Sequence, residues 1–222
     1  GLPEGSIRAR FRGSAGQSFA AFLCRGLHFT LEGEANDSFA KGLSGGQVIV
    51  RPPKGARFRA EDEIIVGNVA LYGATRGEVF VRGRAGERFA VRNSGADAVV
   101  EGLGAHGCEY MTGGHVLVLG PTGPNLAAGM TGGMLYLYDP EGYVPQRANL
   151  GSVDCRKAQS SELDHIRAMI EKHGHLTESA VAQAILHDWD SQRSAFCVLA
   201  PKLQMQSAKA PSFEMPSQRA VG

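Results

Sequence analysis

The stretch RAGERFAVRNSGADAVVEG at residues 84–102 is followed at once by LGAHGCEYMTGGHVLVLG at residues 103–120, and the two stretches share one pattern. Each contains a turn of small residues, a short apolar element, a second glycine turn and a strand rich in β-branched residues. Self-similarity at a fixed spacing is typical of repeat proteins. The pattern therefore decides how the rest of the chain is interpreted.

The same unit extends in both directions. Further copies lie at residues 11–33, 34–53, 67–83 and 121–140, so the chain holds six units with a period of about 19 residues. The step between the second and third units is longer because it contains the insertion RPPKGARFRAEDE at 51–63. We align one apolar position through Phe19, Phe39, Val69, Phe89, Cys108 and Leu126. The second glycine turns follow at Gly26, Gly46, Gly77, Gly95, Gly114 and Gly133.

This repeat predicts an all-β fold, a single-stranded right-handed parallel β-helix of about six coils with two short strands and two glycine corners per coil. Each coil exposes its edge backbone groups until the next coil covers them. Glycine suits the corners because it accepts a positive φ and leaves room for a neighbouring coil. Strand spacing alone also fits an antiparallel β-sandwich with glycine turns. The recurrence of the whole unit favours the β-helix.

The glycines divide the chain, since 27 of the 30 lie within residues 1–142. We predict a β-helix domain over 1–150, an α-helical hairpin packed on it over 151–201 and a flexible tail over 202–222. Within the hairpin, the apolar spacing predicts a helix over 161–174 that ends at Gly174. Thr177 is then expected to cap the N-terminus of a second helix over 178–189.

Composition narrows the classes of function. The 23 Lys and Arg residues nearly balance the 22 Asp and Glu residues, which argues against nucleic-acid binding. Apolar runs fall short of the roughly 20 residues that a membrane helix needs, and the first residues lack the apolar region of a signal peptide. We therefore expect a cytoplasmic protein without nucleic-acid or membrane partners. The absence of an initial Met suggests a processed chain or an excised fragment.

The four cysteines lie far apart and form no C-x-x-C pair, which argues against a zinc or iron–sulfur site. They are Cys24, Cys108, Cys155 and Cys197. A reducing cytoplasm suits such cysteines, which behave there as small apolar residues.

Gly102, Gly104 and Gly107 form a literal G-x-G-x-x-G after the strand DAVVE. In dinucleotide-binding proteins this motif opens a helix whose N-terminus receives the pyrophosphate. Here the chain continues into another repeat unit. We therefore interpret the three glycines as corner residues.

Other polar residues offer further candidate sites. His106, Cys108 and Glu109 are the best candidates for a nucleophile and base, but the repeat register turns Cys108 into the coil, where a thiolate is costly. His173 and His175 flank Gly174 without nearby Cys or Asp ligands, which indicates a solvated helix end. Glu109 and Asp139 lack the paired carboxylate that glycosidases need. We therefore expect no catalytic, cofactor-binding or metal-binding residue.

The strings GLSGGQVIVRPP, GRAGERFAVRNSGADAVVEG, HGCEYMTGG and NLAAGMTGGMLYLYD resemble the glycine-motif (GXGXG) domain that closes the large subunit of glutamate synthases. The resemblance covers about residues 8–200. It implies a non-catalytic β-helix that links a glutamine amidotransferase domain to an FMN and iron–sulfur synthase domain, which are the expected partners. Those cofactors are implied for the parent enzyme and not for this chain.

Two other interpretations stay open. A shorter version of the domain is a subunit of formylmethanofuran dehydrogenase, and some β-helices act on carbohydrates or bind small ligands. The helical hairpin favours the glutamate synthase version. The resemblance leaves open whether the chain forms homo-oligomers and what the tail after Pro201 does.

Overall fold

The computed structural model describes residues 1–202, and over these the chain forms a β-solenoid of about seven turns. Its strands are β1 Ile7–Ser14, β2 Leu27–Glu34, β3 Ser44–Arg51, β4 Ile64–Val66, β5 Arg76–Val81, β6 Arg84–Ala85, β7 Asp97–Val100, β8 Thr112–Val118, β9 Gly132–Tyr138, β10 Val153–Lys157 and β11 Phe196–Pro201. Seven of them form one parallel sheet in the order β1-β2-β3-β5-β7-β8-β9. The predicted parallel β-helix is thus confirmed.

Strand register places equivalent side chains in columns. One interior column contains Val48, Val79, Ala98, Val116 and Leu135, which pair in sequence from β3 to β9 and are all buried. Each of these five turns adds an aliphatic side chain to the same core, as stacked repeats require. The seventh turn arises because β1 lies ahead of β2, which is the strand of the first of the six units.

The second side of each turn differs from the expected short strand. It is a run of tight turns in which alternate residues have φ near +58°, and we call it the turn corridor. Fifteen non-glycine residues in this corridor have positive φ: Ser18, Ala20, Phe22, Ser38, Ala40, Val69, Leu71, Arg88, Ala90, Arg92, His106, Cys108, Tyr110, Asn125 and Ala127. The prediction of two strands per coil is therefore wrong here, although β4 and β6 form a short second ladder.

Backbone hydrogen bonds between turns hold the corridor together. Ser38 N–H donates to the carbonyl of Asn68 in the next turn at 2.9 Å, whereas Leu71 N–H donates back to the carbonyl of Phe39 at 2.8 Å. The same alternation recurs along the corridor. Donors that point in both directions satisfy backbone groups that burial would otherwise leave costly, and this compensates for the unfavourable dihedral angles.

These hydrogen bonds also correct the predicted register. From one turn to the next, a carbonyl in the corridor accepts a hydrogen bond from the residue that directly follows its equivalent. By this pairing the equivalent residues of the corridor are Phe19, Phe39, Ala70, Phe89, Gly107 and Leu126. Val69 and Cys108 are therefore offset by one position from the alignment made on sequence. The sequence alignment is displaced at these two places because Ala70 and Gly107 are small, whereas the other residues at this position are large and apolar.

The last turn is closed by strands of opposite direction. Strand β11 pairs antiparallel with β9, and β10 pairs antiparallel with β11. Between them the chain forms the helices α2 Ser160–Thr177, α3 Ala180–His187 and α4 Trp189–Gln192, after the short α1 Val144–Arg147. None of the helices in residues 1–202 is both long and apolar enough to cross a membrane.

Helices α2 and α3 pack on the outer face of the sheet. Ile166, Ile170 and Ile185 form one buried cluster with sheet residues such as Val99 and Leu117. The middle of the sheet is thus buried on both faces, which explains why its strands are nearly continuous apolar runs.

The boundaries of the two helices differ from those expected. Helix α2 continues through Gly174 to Thr177, and Glu178, with φ of 60°, forms its C-terminal cap. Ser179, not Thr177, caps α3 by accepting a hydrogen bond from Ala182 N–H at 3.0 Å. Packing of the last turn of α2 against the sheet outweighs the local signal of a single glycine. The division at residues 150 and 201 stays a prediction, and the expected tail lies outside the described residues except for Lys202.

The corridor leads to a prediction about stability. Val69 is β-branched, half-buried and held at φ 59°, a conformation that costs such a residue on the order of 1–3 kcal/mol. Because Asn tolerates this region, Val69→Asn should raise the free energy of unfolding by about 1 kcal/mol in urea denaturation. Arg88→Val, at the equivalent exposed position, should lower it by a similar amount. Opposite signs would contradict the strain argument.

Candidate functional site

The three glycines of the G-x-G-x-x-G string do not precede a helix. After Gly107 the chain passes through the turn corridor and enters β8. A Cβ atom built at Gly104 would lie 2.9 Å from the amide nitrogen of Glu87 in the previous turn. Close contact between turns therefore accounts for glycine at this position, whereas the dinucleotide motif needs a following helix N-terminus.

His106, Cys108 and Glu109 do not converge on one point. The Nδ1 atom of His106 lies 2.7 Å from Oε1 of Glu109, and Nδ2 of Asn125 donates to the same oxygen at 3.0 Å. Cys108 instead belongs to the solenoid core, and burial raises the pKa of its thiol to about 12. The structure thus separates the thiol from the histidine–carboxylate pair.

His173 and His175 also lie apart. His175 is exposed, whereas His173 is completely buried between α2 and the sheet. The expectation of a solvated helix end is therefore wrong for His173. Across residues 1–202, no group of three or more His, Cys, Asp or Glu side chains is arranged to hold a metal ion.

Glu101, His173 and Ser179 form a buried polar cluster that the sequence patterns did not identify. Oε1 of Glu101 accepts a hydrogen bond from the Ser179 hydroxyl and lies 3.3 Å from Nε2 of His173. Glu101 is 1% exposed and the other two residues are fully buried. Glu101 ends an apolar strand and is 72 residues from His173, so no local pattern indicates the pairing.

The order of groups in this cluster is not that of a hydrolase. In a Ser-His-Asp triad the histidine lies between serine and acid, so that it can accept the serine proton. Here the acid lies between Ser179 and His173, and the Ser179 oxygen also accepts from Ala182 N–H. The cluster joins the end of β7 to both α2 and α3, which is a structural role.

A second polar group lies where α2 crosses the sheet. Nδ1 of His115 lies 2.9 Å from Oδ1 of Asp97, and this hydrogen bond raises the pKa of His115. Burial lowers the pKa of His165, whose ring centre lies 4.7 Å from that of His115, and burial raises the pKa of Tyr136 to about 12. These side chains pack on one another and attach the helix to β8 and β9.

Asp139, the second of the two lone carboxylates, organises the chain before α1. Its two oxygens accept from the backbone N–H groups of Tyr143 and Val144, at 2.8 and 3.0 Å. Both oxygens are thereby engaged in holding a turn. Asp139 therefore has a local structural role at the C-terminal end of the solenoid.

The buried cluster should contribute strongly to stability. Glu101→Ala removes the acceptor for two buried polar groups, so we expect the free energy of unfolding to fall by about 3 kcal/mol. Glu87→Ala, at an exposed site, serves as the control and should change it by less than about 0.5 kcal/mol. Urea denaturation of both variants measures the difference. Equal effects would show that the cluster does not fasten the helices.

The cysteines should differ sharply in reactivity. Cys24 is exposed, whereas burial raises the pKa of Cys108 and of Cys197 to about 12. At pH 8 such a thiol is ionised in only about one molecule in 10⁴. Iodoacetamide followed by peptide mass spectrometry should label Cys24 first, and should label Cys108 only after unfolding. Labelling of native Cys108 as fast as Cys24 would contradict its burial.

The chain is similar in sequence to one segment of several glutamate synthases. The chain is 50% identical over 94% of its length to "Glutamate synthase [NADH]" of Schizosaccharomyces pombe, and 48% identical over 91% to "Glutamate synthase [NADPH] large chain" of Bacillus subtilis. It is 47% identical over 93% to the chloroplastic ferredoxin-dependent glutamate synthase of Spinacia oleracea. The chain spans only 10–13% of the length of these relatives. The family described as "GXGXG motif" matches residues 1–202, and the chain therefore belongs to the GXGXG family.

Proposed function

We propose that this chain is a structural domain of a glutamate synthase large chain. In this role it holds a glutamine amidotransferase domain and an FMN and iron–sulfur synthase domain in a fixed relation and supplies no reacting group itself. The observation that carries the proposal is the extent of the similarity. Almost the whole chain matches about a tenth of each relative named above, which leaves the rest of those polypeptides for chemistry.

The contacts of the polar side chains support a structural role. Glu101 and His173 are buried, Asp139 holds a backbone turn and Cys108 faces the core. The carboxylate of Glu109 is bound by His106 and Asn125. These groups are thus engaged in packing or in hydrogen bonds within the chain. Oε2 of Glu101 and Nδ1 of His173 have no hydrogen-bond partner within residues 1–202, but both atoms are buried beneath the helices, where a substrate would not reach them.

The dimensions of the solenoid suit a rigid spacer. Seven parallel strands separated by about 4.8 Å span roughly 29 Å along the solenoid axis. Hydrogen bonds between turns on both the strand side and the corridor side resist bending along this length. A spacer of this kind can fix the distance between two catalytic domains.

Replacement of the matching segment in the large chain of Bacillus subtilis glutamate synthase by this chain tests the proposal. We expect the chimera to transfer one ammonia for each glutamine that it hydrolyses, because the spacing of the domains is preserved. A second chimera, in which a flexible Gly/Ser linker replaces the domain, should keep glutaminase activity but lose this coupling. Glutamine consumption and glutamate formation are measured in parallel.

Two results would overturn the proposal. The first is full coupling in the chimera with the flexible linker, which would show that no spacer is needed. The second is glutaminase activity or FMN binding by residues 1–222 alone, which would place part of the chemistry in this chain.

A further inference from the structure

The two ends of the sheet are finished differently. At one end β11 and β10 cover β9, whereas at the other end β1 pairs only with β2 within the described residues. Strand β1 is eight residues long and mostly exposed. An open strand of this length offers a row of backbone groups to which another strand can bind.

The hydrogen bonds between β1 and β2 show which backbone groups of β1 point away from β2. Ile7 N–H donates to the carbonyl of Gly26 at 3.0 Å, and Ala15 N–H donates to the carbonyl of Glu34 at 2.9 Å. In a parallel ladder the residues that bond to one neighbour alternate along the strand. The N–H and C=O groups of the residues between them therefore point to the open edge. Those residues include Arg8, Arg10 and Arg12.

The side chains of the same three arginines line a groove of about 470 Å³ over the outer face of β1 to β3. Arg12 forms an ion pair with Glu32, which also binds Arg51. Arg8 and Arg10 form no ion pair with any described residue. The groove therefore presents positive charge beside the open backbone edge.

The opposite face of β1 continues the apolar core. Ile7 is 48% exposed and Phe11 is 37% exposed. The Phe11 ring centre lies 5.1 Å from those of Phe19 and Phe29 in edge-to-face contacts, so it forms the last layer of an aromatic cluster. A further strand in the sheet would cover this layer, and apolar burial of this kind is favourable by about 25 cal/mol per Å².

We propose that the open edge of β1 is a docking site for an extended segment of a partner in which acidic and apolar side chains alternate. The segment would add one strand to the sheet, with its acidic side chains toward Arg8 and Arg10 and its apolar side chains over Ile7 and Phe11. A second copy of this edge fits poorly, because pairing β1 with β1 places arginine against arginine.

A tethered strand tests the inference on the full 222-residue chain. An eight-residue Glu-Val repeat is joined ahead of Gly1 through a flexible Gly/Ser linker of about twelve residues, long enough to reach β1. With an effective concentration of about 1 mM, a strand that binds with a Kd of about 0.1 mM should slow amide hydrogen exchange at Arg8, Arg10 and Arg12 about tenfold. Exchange is measured by NMR against the untethered chain.

Charge reversal provides the matched controls. A Lys-Val repeat on the same linker should give no protection, and the double variant Arg8→Glu/Arg10→Glu should lose the protection given by Glu-Val and gain it from Lys-Val. Arg57→Glu, an exposed arginine away from the groove, should leave the result unchanged. Absence of protection, or equal protection by both repeats, would overturn the proposal. Protected β1 amides in a dimer of the untethered chain would overturn it in favour of a second copy.

Discussion

The close stacking of each backbone turn on the next is the constraint on which this structure depends. At the corners two backbones approach so closely that a side chain cannot lie between them. A Cβ atom at Gly120 would lie 2.2 Å from the carbonyl oxygen of Glu101, and one at Gly46, where φ is +72°, would lie 2.3 Å from that of Leu27. The glycines are thus required by neighbouring turns, and their density in residues 1–142 follows from the length of the solenoid.

The strand side of the solenoid could be predicted from sequence because each strand carries its own signal. Segments such as QVIV and HVLVL are short and β-branched, and their recurrence shows that they stack. The corridor could not be predicted in the same way, because Ser18, Val69 and Arg88 are not residues that indicate positive φ. Their conformation is imposed by hydrogen bonds to the turns on either side, so it becomes apparent only when all turns are placed together.

The polar clusters could not be predicted from local sequence either. Glu101 and His173 are brought together by the packing of α2 on the sheet, and neither has a local partner that would indicate the contact. Gly174 gave a local signal for the end of a helix, but the burial of His173 and Thr177 extends α2 beyond it. In the candidate site, Cys108 was correctly assigned to the core from the repeat pattern, even though its exact register was displaced by one residue.

The turn corridor has a consequence for how this family can diverge. In most folds an exposed position accepts almost any residue, so substitution rates follow solvent exposure. Arg88 is exposed, yet its φ of 60° is inaccessible to proline and unfavourable for β-branched residues. Evolutionary drift at such surface positions is therefore restricted by the backbone, and the restriction recurs with the period of the solenoid. Among relatives, exposed positions with positive φ should therefore vary less than other exposed positions. These restricted positions should recur with the period of the solenoid, independently of the glycines and of the core.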